Sequence, residues 1–378
     1  CRTAGRNQQN DGVIWKEGIS MNRKWAIIGA GNGGQAFAAY LSLKGLDVAL
    51  YDVCQKSIDE INAKGGILIE GNANTTGFGK VALASTDLEE VVDGAEVILV
   101  ILPSLYHRDM AVKLSPFLKD GQVVILNPIS PLGPIEFKKV LEENSCTAKI
   151  ILAAAHTLLF ACRLRENGDV YVNGQKEEVS ISAYPAADNG TVEKITKPYI
   201  PEYKFVKNIL EVSFINLNFE FHPGPTLLYA AMIEKHIPFE YYCDYVPSQV
   251  KLIESMDKER LAICKAFHIQ TVDATEAYHQ LYGCTENDLY KILTEGSFYK
   301  GIKGPDRLEC RYLTEDVPYA LKPVQAMARI AKIETPTIDA VINLAYAIMG
   351  DKLDEGRTAE KMGFTHNTTV DDIIRLCN

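Results

Sequence analysis

The chain has 378 residues, with 39 lysine and arginine residues against 49 aspartates and glutamates, for a formal net charge of −10. At roughly 150 residues per domain this length predicts two domains, and 47% hydrophobic with 23% charged residues excludes a disordered or collagen-like chain. The acidic balance argues against a nucleic-acid or anionic-membrane partner, because both need clustered positive charge.

The nine cysteines are scattered along the chain, and no pair has CxxC spacing. The sequence therefore predicts neither a zinc ribbon nor a thioredoxin-type motif, and free thiols in a reducing cytoplasm are the simplest interpretation. No apolar stretch approaches the ~18 residues of a membrane span. Residues 1–20 are mostly polar, lack the apolar core of a signal peptide and precede Met21, so we expect them to be a flexible extension.

The first elements form one βαβ unit. An apolar run at 24–29 ends in glycine, a glycine-rich turn opens a helical apolar face that closes at Gly45, and 48–52 is a second apolar run. The alternation continues, with helices predicted at 57–65, 87–95, 107–118 and 135–144 and strands at 67–71, 80–85, 96–103, 122–128 and 149–155. Nearly continuous apolar strands alternating with helices predict a parallel sheet with helices on both faces.

The pattern changes after residue 155. Residues 168–184 predict a hairpin that completes the sheet, and the stretch from Pro198 to Tyr203 predicts a linker. Beyond about residue 206 the periodicity is helical, in segments at 206–220, 226–236, 248–267, 273–283, 286–296, 321–332 and 337–350. The predicted fold is an α/β Rossmann-type dinucleotide-binding domain over 21–206, followed by an all-α domain over 207–378.

The glycine-rich turn fits the dinucleotide fingerprint G-x-G-x-x-G. Its six residues are Gly29, Ala30, Gly31, Asn32, Gly33 and Gly34. In this pattern the first glycine permits the tight turn, the second lets the backbone approach the pyrophosphate, and the third allows close helix–sheet packing. The helix that follows offers its N-terminal N–H groups to the phosphates. Because a strand precedes the turn and a helix follows it, we favour a cofactor site over a structural turn without a ligand.

Asp52 ends the second strand, where a carboxylate accepts hydrogen bonds from the ribose hydroxyls and repels a 2′-phosphate. This position favours NAD over NADP, although Lys56 nearby keeps NADP as an option, and a solvated strand-end carboxylate is the competing interpretation. Ligands of open α/β sheets bind at the carboxyl ends of strands. Leu102, Pro103 and Asn127 lie at two such ends and are predicted to line the nicotinamide half, unless the prolines are only strand stops.

Two segments interrupt the helical second half. In NLNFEFHPGP, at 216–225, His222 precedes Pro-Gly-Pro where a helix must break, so its ring is predicted to face a cleft. Eighty-nine residues after that histidine, RYLTEDVP begins at Arg311 and makes a second interruption. Spacing alone does not establish that the two segments meet.

Essentially all of residues 22–378 resembles the opine dehydrogenases, the octopine and nopaline dehydrogenase family, and within it most closely the bacterial carboxyethyl-norvaline dehydrogenases. The segments that carry the resemblance are GAGNGGQAFAAYLSLKG, VILVILP, ILNP, NLNFEFHPGPTLL, GPDRLECRYLTEDVP and TPTIDAVINLA. The resemblance implies that an L-amino acid condenses with a 2-keto acid, often pyruvate, and that a nicotinamide cofactor reduces the imine. It also implies an active site in the cleft between the two domains.

The resemblance assigns roles to four residues. His222 matches the catalytic histidine and Asp316 the aspartate paired with it, a chemically coherent pair because such a carboxylate fixes the tautomer of a group that titrates near neutral pH. Arg311 matches the arginine that holds a carboxylate with its bidentate fork. Asn218 lies one helical turn before the histidine and matches a substrate-contacting asparagine. From the residues alone, a helix cap, a turn cap, a surface ion pair and a buried hydrogen bond remain alternatives.

Three positions leave questions open. His107 and His156 follow apolar strands and are the next candidates for proton transfer. Tyr229 follows TLL where the family has a smaller residue, often asparagine, which puts the amine substrate in doubt.

Taken together, these features predict a cytoplasmic, NAD-dependent opine dehydrogenase with small-molecule keto-acid and amino-acid substrates and no resident metal. One alternative is a two-domain hydroxy-acid or ketopantoate-type reductase, although no lysine stands in the marked motif that such an enzyme would need. The other is a nucleotide-sensing protein without catalysis, against which the intact set of His222, Asp316 and Arg311 argues. The oligomeric state stays open, with a homodimer as one option.

Overall fold

A computed structural model of the chain describes residues 24–166 and 168–378, so the predicted extension at 1–20 lies outside the described residues. The strands are β1 (Lys24–Ile28), β2 (Asp47–Tyr51), β3 (Gly66–Gly71), β4 (Gly77–Lys80), β5 (Leu83–Ser85), β6 (Val97–Val100), β7 (Val123–Leu126), β8 (Ile151–Ala155), β9 (Phe160–Leu164), β10 (Val170–Gln175), β11 (Val179–Tyr184) and β12 (Tyr203–Phe205).

The helices divide into six that accompany the strands and eleven that follow them. The first group is α1 (Asn32–Leu43), α2 (Gln55–Lys64), α3 (Leu88–Val92), α4 (His107–Leu114), α5 (Gly133–Glu143) and α6 (Asn189–Thr196). The second group is α7 (Ile209–Ile215), α8 (Asn218–Phe221), α9 (Pro223–Leu228), α10 (Ala230–Glu234), α11 (Pro247–Ala266), α12 (Ala274–Tyr282), α13 (Leu289–Glu295), α14 (Arg311–Thr314), α15 (Lys322–Ile330), α16 (Pro336–Met349) and α17 (Val370–Cys377).

The main sheet has eight strands in the order β12-β11-β8-β7-β6-β1-β2-β5, and every neighbouring pair is parallel except β8 with β11. Its central strands are buried on both faces, which explains their continuous apolar sequence. Successive residues alternate between two cores: Ala26 and Ile28 face one, and Trp25 and Ile27 the other. The core that contains Ala26 continues into the second group of helices, so one face of the sheet packs against the helical part.

The predicted hairpin at 168–184 is wrong. Its two strands belong to different sheets: β10 lies in a second, four-stranded sheet of order β4-β3-β10-β9, whereas β11 pairs with β8 in the main sheet. Residues 80–85 likewise divide between β4 and β5, which lie in different sheets. Alternating apolar residues identify a strand but carry no information about which strand lies beside it.

The predicted linker at 198–203 is an irregular connection over 198–202, but Tyr203 already belongs to a further strand of the main sheet. Helix α6 precedes the connection, and β12 follows as an edge strand parallel to β11, with Tyr203 fully buried. Three residues are too few to give a period-2 pattern, so the sequence did not predict this strand. Strand β12 ends at Phe205 and α7 begins at Ile209, with Asn208 capping the helix through its side-chain oxygen. A domain boundary near residue 206 stays a prediction.

From residue 209 to the C-terminus the described chain has helices joined by loops, and its β-structure is one isolated bridge between Glu240 and Lys303. A π-helical turn, Val317–Leu321, leads into α15, and α17 is a helix that the sequence did not predict. The eight described cysteines are all free thiols. None of the described helices is long and apolar enough to cross a membrane.

Candidate active site between the sheet and the helices

The glycine turn after β1 leaves one face of its backbone open. A Cβ built on Gly29, whose φ is +105°, would lie 2.6 Å from the carbonyl oxygen of Ile101, and one on Gly34 would lie 1.7 Å from the carbonyl oxygen of Gly29. Neither position therefore tolerates a side chain. A Cβ on Gly31, by contrast, would meet no atom within 4 Å. The turn thus has two glycines that serve packing and one that faces free space, as a dinucleotide site requires.

Asp52 and Asn32 hold this turn in place. The carboxylate of Asp52 accepts hydrogen bonds from the backbone N–H of Ala30 at 2.6 Å and of Cys54 at 2.8 Å. Each carboxylate oxygen keeps a second lone pair, so the residue still has capacity to accept from a ribose hydroxyl. The side-chain oxygen of Asn32 accepts from the N–H of Leu164 at 2.9 Å, so this side chain secures strand β9 beside the turn.

The residues at the two strand ends predicted to line the nicotinamide half point their side chains in different directions. The side chain of Leu102 lies against Gly29, since its Cδ2 would be 2.8 Å from a Cβ there. Asn127 corrects the prediction: its side chain is fully buried, and its Nδ2 donates to the hydroxyl of Tyr203 at 2.9 Å. The residues that follow it, 128–130, line the cavity in its place.

A cavity of about 190 Å³ lies between the strand ends and the helical part. The residues that line it from the strand-end loops are Ser104, Pro128, Ile129 and Ser130. Those from the helical part are Asn216, Asn218, His222, Arg311, Tyr312, Glu315 and Asp316. The two segments that interrupt the helical pattern therefore meet in one cavity, although 94 residues separate the histidine from the aspartate.

His222 and Asp316 form a close pair within this cavity. The histidine sits at the junction of α8 and α9, where Pro223 begins the second helix, and the aspartate directly precedes the π-helical turn. Nδ1 of His222 lies 2.7 Å from Oδ2 of Asp316, and both side chains are largely buried. A carboxylate at this distance holds the imidazole in one orientation and one tautomer.

Two tyrosines that the sequence did not single out also contact His222. The hydroxyl of Tyr242 lies 3.0 Å from Nε2, and the ring of Tyr312 stacks on the imidazole at a centroid distance of 4.1 Å. Burial, and then the nearby Tyr299, raise the pKa of Tyr242 well above its ordinary value, so it remains a neutral hydroxyl. The aromatic-rich stretch at 239–246 carries the signal for Tyr242, but such a stretch is more often core.

Arg311 lines the cavity and is hydrogen-bonded to a buried carboxylate, that of Glu315. Its Nε donates to Oε2 of Glu315 at 2.6 Å, and Oε1 of the same carboxylate accepts from the N–H of Ser104 at 2.7 Å. The arginine side chain itself is 65% exposed, whereas that of Glu315 is 6% exposed. Asn218, which is exposed, lines the cavity one turn before His222, whose N–H donates to its carbonyl oxygen.

The alternative histidines do not line this cavity. Burial, and then the charge of Arg357, lower the pKa of His107 to about 3, while its Nε2 lies 3.0 Å from the carbonyl oxygen of Leu102. Burial lowers the pKa of His156 to about 4, and its Nδ1 accepts from the N–H of Ser180 at 3.0 Å. Both rings are thus neutral and structural near pH 7, which leaves His222 as the imidazole in contact with the cavity.

Tyr229 does not line this cavity either, and an effect of this residue on the choice of amine stays a prediction. The residue is 5% exposed and packs against Phe239, Tyr241 and Tyr245. Within the described part of the chain, no group of three or more His, Cys, Asp and Glu side chains is arranged to hold a metal ion.

Comparison with known families divides the chain in the same way as the fold. Residues 24–130 match the family described as NAD-dependent glycerol-3-phosphate dehydrogenase N-terminus. Residues 205–349 match the family described as NAD/NADP octopine/nopaline dehydrogenase, alpha-helical domain. The N-terminal part of the chain is thus an NAD-binding Rossmann-like domain, and the C-terminal part is alpha-helical.

Among curated proteins, the opine dehydrogenase of Arthrobacter sp. (strain 1C) is 37% identical over 351 residues, which cover 92% of this chain and 97% of that protein. Among solved structures, octopine dehydrogenase with NADH and L-arginine has a TM-score of 0.77 at 20% identity, covering 93% of this chain and 98% of the other. Yersinopine dehydrogenase with bound NADP+ has a TM-score of 0.72 at 11% identity, covering 94% and 97%. At these identities the two structures establish a common fold.

Proposed function

The chain belongs to the opine dehydrogenase family of NAD-dependent oxidoreductases, and from this premise we propose that it joins an L-amino acid to a 2-keto acid, with pyruvate as the keto acid. The product is a secondary amine that carries two carboxylates, and the reverse reaction oxidises it. The observation that carries the proposal is the His222–Asp316 pair, at 2.7 Å, in the same cavity as Arg311 and beside the strand ends.

The fit of a dinucleotide rests on the open side of the glycine turn. Gly31 leaves free space at the N-terminus of α1, where N–H groups and the positive end of the helix dipole favour a pyrophosphate. Asp52 lies where it can accept from the ribose, which favours NAD; NADP, which yersinopine dehydrogenase binds, remains the second option. When bound, the nicotinamide supplies the hydride that reduces the imine.

His222 handles the proton in this scheme. Condensation of an amine with a keto acid releases water, and reduction of the resulting imine needs one proton on nitrogen in addition to the hydride. An imidazole paired with a carboxylate can donate that proton during reduction and remove it during oxidation. Asp316 compensates the positive charge that His222 carries before it donates, so the pair acts as one acid–base unit.

Arg311 and Asn218 are proposed to bind the substrates. The guanidinium can hold the keto-acid carboxylate with two parallel hydrogen bonds, which fixes the plane of the neighbouring keto carbon. The amide of Asn218, one turn from the histidine, can accept from the amino group or donate to the second carboxylate. The cavity of about 190 Å³ suits small acids.

The test is NADH oxidation with pyruvate, measured with and without a pool of L-amino acids. We expect oxidation only when both substrates are present. Oxidation with the keto acid alone would favour a hydroxy-acid or ketopantoate-type reductase, for which the cavity offers no lysine. No oxidation with any pair, despite NADH binding, would favour a nucleotide-sensing protein.

A further inference from the structure

Glu315 is a buried carboxylate in the cavity that the proposed chemistry does not use. It is 5% exposed, and an ionised carboxylate is costly to bury unless its oxygens have partners. Each oxygen has one: Oε1 accepts from the N–H of Ser104 at 2.7 Å, and Oε2 accepts from Nε of Arg311 at 2.6 Å. The first partner belongs to the loop after β6 and the second to α14, so the carboxylate bridges the sheet and the helical part.

The contact to Nε determines which edge of the Arg311 guanidinium remains available. Within residues 24–166 and 168–378, neither terminal nitrogen of Arg311 has a hydrogen-bond partner. Since Nε is held by Glu315, the guanidinium plane is fixed and its outer edge, with both terminal nitrogens, is left for a ligand. That edge is the one that forms a two-point contact with a carboxylate.

The contact to Ser104 extends this arrangement to the nicotinamide side. The hydroxyl of Ser104 accepts from the N–H of Ser130 at 2.9 Å, and both serines line the cavity. A continuous chain of hydrogen bonds therefore runs from Arg311 through Glu315 to the loops after β6 and β7. Those loops lie at the carboxyl ends of the strands, where a nicotinamide would bind.

We propose that Glu315 is a positioning residue: it orients Arg311 toward the substrate carboxylate and fixes that arginine relative to the loop beside the nicotinamide. The proposal rests on the proposed function, because it assigns the anion at Arg311 to a 2-keto acid. A keto acid held in this way has its carboxylate at a set distance from the strand ends, which places its keto carbon for hydride transfer.

Glu315→Gln tests the proposal with little change in shape. The amide oxygen can still accept from Ser104, but the amide nitrogen meets the N–H of Arg311 as donor against donor. We expect the KM for pyruvate to rise at least tenfold, with the Kd for NADH within twofold of wild type in a fluorescence titration. Glu309→Gln is the matched control, because Glu309 pairs with Lys352 on the surface, and its kinetics should equal those of wild type.

A double variant separates orientation of Arg311 from a general structural effect. Arg311→Lys already removes the Nε contact, so adding Glu315→Gln should change the pyruvate KM by less than twofold further. Full additivity of the two changes would overturn the proposal. A fall of the pyruvate KM in Glu315→Gln would also overturn it, because Glu315 would then compete with the substrate for Arg311 rather than aim it.

If the glutamine variant does not fold, Glu315→Asp takes its place. It keeps the charge but is one methylene too short to reach both partners, so the same rise in the pyruvate KM is expected. A folded aspartate variant with the wild-type KM would overturn the proposal. Wild-type enzyme in the same assay separates failure of this inference from failure of the proposed function. If wild type turns over pyruvate and Glu315→Gln has the same pyruvate KM, only the role of Glu315 is refuted. If wild type does not turn over any keto acid, the proposed function is refuted and this inference with it.

Discussion

Alanine at Gly31 should weaken cofactor binding without weakening the fold. The residue has φ −74° and ψ −170°, a conformation that alanine adopts without strain, and its Cβ would meet no protein atom within 4 Å. Replacing glycine at such a site stabilises by about 0.4–1 kcal/mol through the unfolded chain, and the poorer helix cap that alanine makes costs about 0.5–1 kcal/mol. The two effects largely cancel, so the free energy of unfolding should change by less than about 1 kcal/mol.

The same methyl group should interfere with NADH. It fills the space through which the backbone approaches the pyrophosphate, and forcing extra volume into a packed contact costs about 1–3 kcal/mol. At about 1.4 kcal/mol per factor of ten, the Kd for NADH should rise roughly 5- to 150-fold. Fluorescence titration measures the affinity, and urea unfolding without cofactor measures the stability.

Gly34→Ala is the matched control in the same turn. Its Cβ would lie 1.7 Å from the carbonyl oxygen of Gly29, far inside the 3.0 Å that real Cβ contacts respect. The helix must therefore move away from the strand, and we expect the free energy of unfolding to fall by about 1–3 kcal/mol or more. Wild-type NADH affinity in Gly31→Ala, or a loss of stability equal to that of Gly34→Ala, would refute the placement of the pyrophosphate on this turn.

Four further predictions concern the site and its surroundings. His222→Ala and Asp316→Asn should each lower kcat by about 10²–10⁴-fold, and in steady-state kinetics the double variant should lose little more than either single one; near-normal turnover in His222→Ala would move the proton transfer elsewhere. Asp52→Ala should narrow the preference for NADH over NADPH in kcat/KM, whereas a wild type that prefers NADPH would contradict the orientation of this carboxylate. Arg311→Lys should impair keto-acid kinetics, because it loses the two-point contact, and leave NADH affinity unchanged by fluorescence titration; equal weakening of both would assign Arg311 to the cofactor or the fold. Burial lowers the pKa of His156 from 6.5 to about 4, so the neutral ring's contribution to the free energy of unfolding is present above pH 6.5 and is lost as the pH falls toward 4, by about 2 kcal/mol at pH 5. Between pH 7 and pH 5, the free energy of unfolding of His156→Gln, measured in urea, should therefore fall by about 2 kcal/mol less than that of wild type. An identical pH dependence would mean that the ring is protonated in the folded protein at pH 5.

The nucleotide-binding half was predictable where the pattern is local. The βαβ unit combines buried strands, a helix and a fingerprint within thirty residues, and each of these follows from nearest neighbours in the chain. The second sheet was not predictable, because β3 and β10 pair across about a hundred residues of chain, and both pack against α1, which neither strand's own sequence indicates. For the same reason the sequence did not indicate that β10 and β11, which are neighbours in the chain, belong to different sheets.

In the candidate site, the residues that carry a family motif could be predicted, but their partners could not. His222, Asp316 and Arg311 stand in marked segments, and they meet in one cavity. Glu315 belongs to the same RYLTED motif, yet its importance rests on a contact with Ser104, 211 residues away. Asn127 lies at a strand end as predicted, but alternation along the strand turns its side chain into the core.

Deuterium transfer tests the central claim most directly. The enzyme is supplied with NADH that carries two deuterium atoms at C4 of the nicotinamide, with pyruvate and with a pool of L-amino acids, and the products are analysed by mass spectrometry. We expect a secondary amine with two carboxylates that carries one deuterium on the carbon of the former keto group, and no such product from His222→Ala on the same timescale. Deuterium found instead in lactate, the hydroxy acid of pyruvate, would contradict the account.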